Sequence, residues 1–328
     1  MLKYSILMEK TARTIEDSLR LVNAELSGAL ASIDREVFDF KKFPFSFMGK
    51  AARARFTLLM ADALGADRAR AEKAAAAAEL THTASLLHDD CIDAARCRRG
   101  LPTLNTQLGV NASILVGDLV IALAFDCAGR AAPELQSALV QAVKRMTEGA
   151  LIEENCRGRL ISAADSGRIV SLKTGALFRW CALAACRLSG SSALLETCAR
   201  IGEETGSVFQ MIDDVLDFEG DAGACGKEIL KDITEGKFTL PLILALTDAK
   251  AGPGVEKLLN SMKAGPAADM VPALELAGLV KAGGFTLAAR QAALERLKAL
   301  YPLLDSLPDR KGAAALKTFL LALGARRA

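Results

Sequence analysis

Aspartates crowd one turn of a segment that is predicted to be helical. Asp89, Asp90 and Asp93 lie in the stretch LLHDDCIDAARCRRG, and two bases, Arg98 and Arg99, follow the last acid by five and six residues. Helical ion pairs form between side chains three or four residues apart, so this spacing places both arginines out of reach of the acids. Unpaired carboxylates repel one another, and the sequence therefore predicts another source of positive charge at this turn.

A second acidic cluster repeats the spacing of the first. Asp213, Asp214 and Asp217 lie in FQMIDDVLDFEGD, again at the end of an apolar helical segment. Aspartates at i and i+4 share one face of a helix, and carboxylate oxygens are ligands that Mg²⁺ prefers, together with water and substrate phosphates. One DDxxD alone is typical of a solvated helix end, whereas two copies in apolar surroundings favour a pair of metal-binding sites.

Basic residues accompany the acidic clusters and the predicted chain breaks. Any one of them alone would be interpreted as a surface charge. Together with two acidic clusters they predict two diphosphate sites, one bound through metal and one bound by bases alone. These bases are Lys50, Arg53, Arg98, Arg99, Lys173, Lys227 and Lys237.

The elements that must position these residues are helices. Between residues 71 and 93, Leu80, Ala84, Leu87 and Cys91 form an apolar stripe at helical spacing, and AEKAAAAAEL favours a helix intrinsically. Stretches such as RRGLPT, LSGSS and AGPGV break the chain into about a dozen helices. No segment has the pattern of a strand, and no linker divides the chain. We therefore expect one all-α domain over residues 1–328.

Composition restricts the class of protein. The 328 residues are 51% apolar and 24% charged, with a net charge of +2 and no basic run, so a large core is expected and nucleic-acid binding is not. Eight cysteines without a CxxC pair and only two histidines argue against a zinc site and predict reduced thiols in a cytoplasmic protein. Asp118 and Asp126 interrupt the most apolar stretch, so no membrane span is expected.

Six motifs in order carry a family resemblance. They are GKAAR, HTASLLHDDCIDAARCRRGLPT, SILVGDLVIALAF, SLKTGALF, FQMIDDVLDFEGD and GKEILKDITEGKFTLPLI, between about residues 45 and 245. The chain resembles the trans-isoprenyl diphosphate synthases, of the polyprenyl, octaprenyl-type branch. The resemblance implies an isoprenoid synthase fold with helices around a central cavity, typically three Mg²⁺ ions, a homodimer, and condensation of isopentenyl diphosphate with an allylic diphosphate.

The resemblance also implies roles for individual residues. The six aspartates of the two clusters would hold the metal ions, with Asp89, Asp93 and Asp213 as direct ligands. The allylic diphosphate would contact Arg98, Lys173 and Lys227. Isopentenyl diphosphate would contact Lys50, Arg53, His82 and Arg99, with Lys237 at the rim. Thr174 and Gln210 would direct oxygen dipoles at the allylic cation.

The sequence departs from the family pattern at several positions. The usual GGKRxRP is MGKAARA here, which keeps Lys50 and Arg53 but loses the flanking Gly, Arg and Pro, so this loop is expected to be less rigid. The usual GExLQL is GALIEE here, over residues 149–154, so a polar pair near the expected cavity is altered. Cys91, inside the first acidic cluster, is expected to point into the core, and His88 is expected to be structural.

Small residues below the first cluster bear on product length. Ala84 and Ser85 would not block a growing chain, so a product of twenty or more carbons is expected. A quinone side-chain precursor is a candidate for this product, and Phe125 is a candidate floor of the cavity. Three alternatives remain: a short-chain farnesyl or geranylgeranyl synthase, a class I terpene cyclase, and a non-catalytic subunit of a heteromeric synthase. The bases of the second diphosphate site argue against the cyclase, and the complete acidic clusters argue against the subunit.

Overall fold

A computed structural model describes residues 14–43, 48–220, 230–264 and 270–326. These residues form sixteen α-helices and one pair of two-residue strands, which confirms the all-α prediction. The helices are α1 Ile15–Ala31, α2 Ala52–Leu64, α3 Arg68–Ile92, α4 Leu104–Leu108, α5 Val110–Ala131, α6 Pro133–Cys156, α7 Ala163–Val170, α8 Ala176–Leu188, α9 Leu195–Glu219, α10 Lys231–Thr234, α11 Leu240–Thr247, α12 Gly252–Ala264, α13 Val271–Ala282, α14 Phe285–Lys298, α15 Tyr301–Asp305 and α16 Arg310–Gly324. The strands are β1 Cys97–Arg98 and β2 Leu101–Pro102.

Helix α3 runs through the middle of the helix bundle. It packs against α1, α2, α5 and α8, and the five alanines 74–78 are fully buried. Alanine has the highest helix propensity and the smallest side chain that a helix can carry without extra backbone entropy, so this stretch lets neighbouring helices approach closely. The first acidic cluster is thereby fixed at the C-terminal end of a helix that packs against four others.

A tight hairpin follows the first acidic cluster, where the sequence predicted only a chain break. Strands β1 and β2 pair in antiparallel register, with Arg98 opposite Leu101. The two turn residues, Arg99 and Gly100, have φ values of 54° and 76°, as a two-residue hairpin of type I′ requires. This turn folds Arg98 back onto the end of α3, so the prediction that Arg98 is out of reach of the acids was wrong.

The buried apolar residues form a main core and a smaller cluster. The main core lies among α1–α6, α8, α9 and α14–α16, and the smaller cluster joins the end of α9 to α10–α13. Two stretches of helix, Val110–Ala131 and Ala163–Leu188, are long and apolar enough to cross a membrane by length and composition. The second stretch is mostly buried inside the bundle, which accounts for its hydropathy.

Candidate active site

One large cavity opens beside the ends of α3 and α9. Its volume is about 830 Å³, and α3, α5, α6, α7 and the segment 231–239 form its walls. Ten of the residues predicted from the sequence line it: Arg53, His82, Asp89, Asp93, Arg98, Lys173, Thr174, Gln210, Asp214 and Lys237. Five others, Lys50, Asp90, Arg99, Asp213 and Asp217, lie outside the lining, and Lys227 lies outside the described residues.

The aspartates of the first cluster have different surroundings. Asp90 is only 2% exposed, and its carboxylate accepts hydrogen bonds from Arg98 Nε at 2.9 Å and Nη2 at 2.6 Å. Asp89 and Asp93 face the cavity instead. Because bidentate pairing with an arginine satisfies a carboxylate, Asp90 holds the hairpin in place. Asp89 and Asp93 are therefore the two acids of this cluster that present oxygens to the cavity.

Three cations surround Asp93. Arg157 Nη2 lies 2.5 Å from Asp93 Oδ1, and the amines of Lys237 and Lys231 lie 3.5 and 4.0 Å from Oδ2. Burial works against the charged carboxylate, but the hydrogen bond from Arg157 and the charges of both lysines lower the pKa of Asp93. The positive charge that the sequence required at this turn is therefore supplied by the end of α6 and by the segment after α9.

A π-helical turn, Ser171–Gly175, joins α7 to α8 and carries Lys173 and Thr174. Such turns are rare and recur at functional sites. Two glycines pack against this turn. A Cβ on Gly149 of α6 would lie 2.6 Å from the backbone nitrogen of Lys173, and a Cβ on Gly206 of α9 would lie 2.7 Å from the Cα of Gly175. The turn is thereby held tightly between α6 and α9.

Lys173 and Thr174 link the two acidic clusters. The amine of Lys173 lies 2.6 Å from Glu153 and 3.7 Å from Asp89. The Thr174 hydroxyl donates to Gln210 Oε1 at 2.9 Å, and the Gln210 amide donates to Asp214 at 2.9 Å. The structure therefore brings both clusters to one cavity through a short polar chain.

The three aspartates of the second cluster have different surroundings, and neighbouring groups compensate two of them. Asp213 pairs with Arg326 at 2.9 Å, and Asp217 accepts the backbone N–H groups of Lys231 and Asp232. Asp214 is 4% exposed, and burial together with the charge of Asp232 raises its pKa well above the usual range. Burial, and then the charge of Asp217, raise the pKa of Asp232 to about 7.

Of the residues predicted for isopentenyl diphosphate, Lys50 and Arg53 lie at the start of α2, whereas His82 lies on α3 and Arg99 in the hairpin turn. Arg53 is 8% exposed, its guanidinium lies over the rings of Phe178 and Phe209, and its Nε has no hydrogen-bond partner. Burial, and then the charges of Arg53 and Arg99, hold the pKa of His82 well below its usual range. Lys50 is exposed at the entrance to α2.

The hydrocarbon walls differ from the prediction at one position. Ala84 and Ser85 line the cavity as expected, but Phe125 does not; it packs against the main core. Ile121, Val143 and Met146 form the apolar lining in that direction. Phe125 lies one turn further along α5 than Ile121, so the distance from Asp118 alone overestimated how far the cavity extends.

Cys91 also differs from expectation, whereas the structural role expected of His88 stays a prediction. Cys91 lines the cavity, half-buried, with its Sγ 3.8 Å from the Val110 carbonyl, and is not part of the core. His88 lines the cavity too, and its Nε2 lies 3.4 Å from Asp118. The seven described cysteines are free thiols, as predicted, although three of them are only partly buried; Cys225 lies outside the described residues.

Sequence reasoning assigned no role to several charged residues of the site. Arg157, Lys231, Asp232 and Glu235 all lie within or beside the cavity. The last three belong to GKEILKDITEGKFTLPLI, so the motif itself carried a signal. Arg157 had no signal in the sequence beyond its position at the end of a helix.

The matching family model decides the family. The model of the polyprenyl synthetases matches residues 40–273, more than half of the chain. The chain belongs to the polyprenyl synthetase family. That match contains the cavity, both acidic clusters and the start of α2.

Individual polyprenyl synthetases agree with this assignment. An octaprenyl diphosphate synthase of Haemophilus influenzae is 34% identical over 206 residues, which are 62% of this chain and 63% of that protein. A nonaprenyl diphosphate synthase of Mycobacterium tuberculosis is 30% identical over 93% of this chain and 92% of its own length. The crystal structure of a polyprenyl synthase from Caulobacter crescentus, complexed with calcium and isoprenyl diphosphate, superposes with a TM-score of 0.83 at 27% identity, covering 97% of this chain and all of that one.

Proposed function

We propose that this polyprenyl synthetase condenses isopentenyl diphosphate with an allylic diphosphate, in a Mg²⁺-dependent reaction, to make an all-trans polyprenyl diphosphate. One observation carries the proposal. Asp89, Asp93 and Asp214 line a single cavity together with Arg53, Arg98, Lys173 and Lys237, and Ile121, Val143 and Met146 give that cavity an apolar wall. A diphosphate fits the charged end of such a cavity, and a prenyl chain fits the apolar end.

The residues of the cavity fit Mg²⁺ as a partner of bound diphosphate. Among the described residues no group of three or more His, Cys, Asp or Glu side chains could hold a metal ion by itself. Mg²⁺ is usually held by one or two carboxylates together with water and substrate phosphates. Asp89 and Asp93 on the cavity wall would supply such carboxylates, together with Asp213, which lies outside the lining. Bound metal would stabilise the negative charge that develops on the departing diphosphate.

The allylic diphosphate would take over cations that now pair with carboxylates. Lys173 lies between Glu153 and Asp89, and Lys237 lies beside Asp93, so each amine can turn towards a phosphate that enters between the clusters. Arg98 is held by Asp90 with its guanidinium on the cavity wall. Lys227 is proposed for the same phosphate on the family resemblance alone.

Isopentenyl diphosphate would bind at the start of α2. The unpartnered Nε of Arg53 offers a buried donor, and a buried donor without an acceptor is costly unless a ligand supplies one. A Cβ on Gly49 would collide with the Arg99 guanidinium, so Arg99 lies against the loop that carries Lys50. His82, neutral because of its lowered pKa, would donate one hydrogen bond without adding a charge.

The apolar walls and Thr174 would protect and direct the allylic cation. The Thr174 hydroxyl donates a hydrogen bond to Gln210 Oε1, so the lone pairs of the Thr174 oxygen remain available to the cavity. The double bond of isopentenyl diphosphate would attack the cation, and the released diphosphate is the base for the proton that is then lost. Because the diphosphate takes this proton, the mechanism requires no side-chain base, and exclusion of water by the walls limits hydrolysis of the cation.

The product is proposed to contain twenty or more carbons, because Ala84 and Ser85 leave the cavity open below Asp89. We further propose a cytoplasmic homodimer. Val110, Ile114 and Leu115 on α5 are 48%, 40% and 68% exposed, and an apolar helix face of this kind is typical of an interface between subunits.

A single incubation tests the proposed function. Purified protein is mixed with isopentenyl and farnesyl diphosphate, with and without Mg²⁺, and the products are measured by mass spectrometry. We expect a series of elongated prenyl diphosphates that ends at one length and disappears without metal. A cyclised hydrocarbon would support the terpene cyclase alternative, and no product at all would support the non-catalytic subunit.

A further inference from the structure

Glu79 is a buried acid that the proposed mechanism does not use. It lies on α3, ten residues before Asp89, and is only 2% exposed. Its Oε1 accepts the backbone N–H of Ala54 at 2.9 Å, and the backbone N–H of Arg53 adds a second hydrogen bond. The carboxylate therefore caps the beginning of α2 from the side of α3.

The start of α2 requires such a cap. Its N-cap residue, Ala51, has φ 49° and no side chain that could accept a hydrogen bond, so the first N–H groups of the helix need an acceptor from elsewhere. A carboxylate at this end also complements the helix dipole. The family pattern has proline at position 54, which has no N–H, whereas Ala54 gives this chain an additional donor to Glu79.

Glu79 also acts on the side chain of Arg53. Among the described residues no carboxylate oxygen lies within 4 Å of the Arg53 guanidinium, which is buried between Phe178 and Phe209. Burial lowers the pKa of Arg53, and the charge of Glu79 is the largest of the effects that oppose this. One buried carboxylate thus fixes the backbone of Arg53 and balances its charge, while the Nε stays free.

We propose that Glu79 is a positioning residue for isopentenyl diphosphate: it holds the start of α2 so that the Arg53 guanidinium stays available to the substrate in the cavity. This inference rests on the proposed function. It also replaces an expectation from the sequence, because the loss of the flanking Gly, Arg and Pro is compensated at the start of α2 by a contact from α3.

Two substitutions to glutamine test this proposal. Glu79→Gln keeps the size of the side chain and removes the charge. Glu72→Gln is the matched control, because Glu72 is also buried on α3, at 4% exposure, but accepts a hydrogen bond from Ser18 of α1, away from the cavity. For each protein we would measure kcat and the KM values for isopentenyl and farnesyl diphosphate, together with the melting temperature.

We expect Glu79→Gln to raise the KM for isopentenyl diphosphate by about tenfold, while the KM for farnesyl diphosphate changes by less than about twofold. Glu72→Gln should leave both KM values unchanged. If Glu79→Gln does not fold, Glu79→Asp, which keeps the charge but shortens the reach, should raise the same KM by a smaller factor. An unchanged KM for isopentenyl diphosphate, equal changes in both KM values, or the same change in the control would overturn the inference. A wild-type protein without elongation activity would instead refute the proposed function, and the inference with it.

Discussion

Lys173 stands between two carboxylates, one from each side of the cavity. Its amine is closer to Glu153 than to Asp89, at 2.6 against 3.7 Å. Burial disfavours the ammonium ion, but the charges of Asp89 and Glu153 outweigh burial and raise the pKa of Lys173. Glu153 stands where the family pattern has glutamine, so in this chain the lysine is shared with an additional acid.

Glu153→Gln should release Lys173 towards the allylic diphosphate. We expect the KM for farnesyl diphosphate at limiting Mg²⁺ to fall by about threefold, because one competing charge is removed next to the lysine. Glu148→Gln is the control, since Glu148 lies on the same helix and pairs with Lys144 on the outer surface. A KM that rises, or that falls equally in the control, would contradict this role for Glu153.

Asp89 and Asp90 are neighbours in sequence with different expected roles. Asp90→Asn breaks a buried bidentate pair with Arg98 and should lower the free energy of unfolding by about 3 kcal/mol. Asp89→Asn should leave the free energy of unfolding nearly unchanged and reduce kcat by about 100-fold. The reason is that Asp89 would hold a metal ion whose charge stabilises the departing diphosphate. Urea unfolding and steady-state kinetics on both variants measure these effects. A stable Asp90→Asn protein with a larger loss of kcat would reverse the assignment.

The lowered pKa of His82 predicts how the free energy of unfolding changes at acid pH. Its pKa in the folded protein is well below that of an unfolded chain, about 6.5, so the unfolded state binds the extra proton first. This group therefore costs no stability above pH 6.5, and its cost increases as the pH falls below that value, by up to about 1.4 kcal/mol per pH unit. The difference in unfolding free energy between wild type and His82→Asn should shift in favour of the variant from pH 7.5 to 5.5. A constant difference would show that the pKa of His82 is the same in the folded and the unfolded chain.

At the scale of elements, α3, α5 and α6 form the cavity walls that, under the proposed function, would limit the length of the prenyl chain. Ser85 lies one turn below Asp89, and Ile121 and Met146 form the wall opposite. The depth of the cavity therefore depends on residues that do not touch the diphosphates.

Two substitutions in these helices should change product length in opposite directions. Ser85→Phe would fill the cavity one turn below the acids and shorten the product, whereas Ile121→Ala would deepen it and lengthen the product. Phe125→Ala serves as the control, because Phe125 lies outside the cavity lining and should not alter the length. Mass spectrometry of the products distinguishes these outcomes. A longer product from Phe125→Ala, with none from Ile121→Ala, would restore Phe125 as the floor.

Part of this architecture follows directly from the sequence. Helical periodicity identified α3 and α9, and the DDxxD spacing placed Asp89 and Asp213 at their ends, because both depend only on local order. The hairpin was missed because pairing rules for helices do not apply after Asp93, where a left-handed turn reverses the chain. Arg157 was missed because its contact with Asp93 spans 64 residues and exists only in the folded chain.

At the scale of the whole molecule, the cavity balances its acids with its own bases. We expect Mg²⁺ alone to change the melting temperature little, because Asp93 and Asp213 already have cationic partners. Mg²⁺ with inorganic pyrophosphate should raise it by about 3 °C or more, since binding to the folded state stabilises it. Calorimetry with each ligand alone, both together, and both with EDTA measures the effect. An equal rise with Mg²⁺ alone would show a metal site that is complete without diphosphate.

The fully buried alanines 74–78 pack α3 closely against its neighbours, so Asp89 and Asp93 lie at the end of a firmly held helix. Any closing movement around substrates would then be made by the elements that pack against α3. The walls below Asp89 can be rebuilt without moving the acids above them. Product length and bond-forming chemistry are therefore separable in this fold, and one can evolve while the other is preserved.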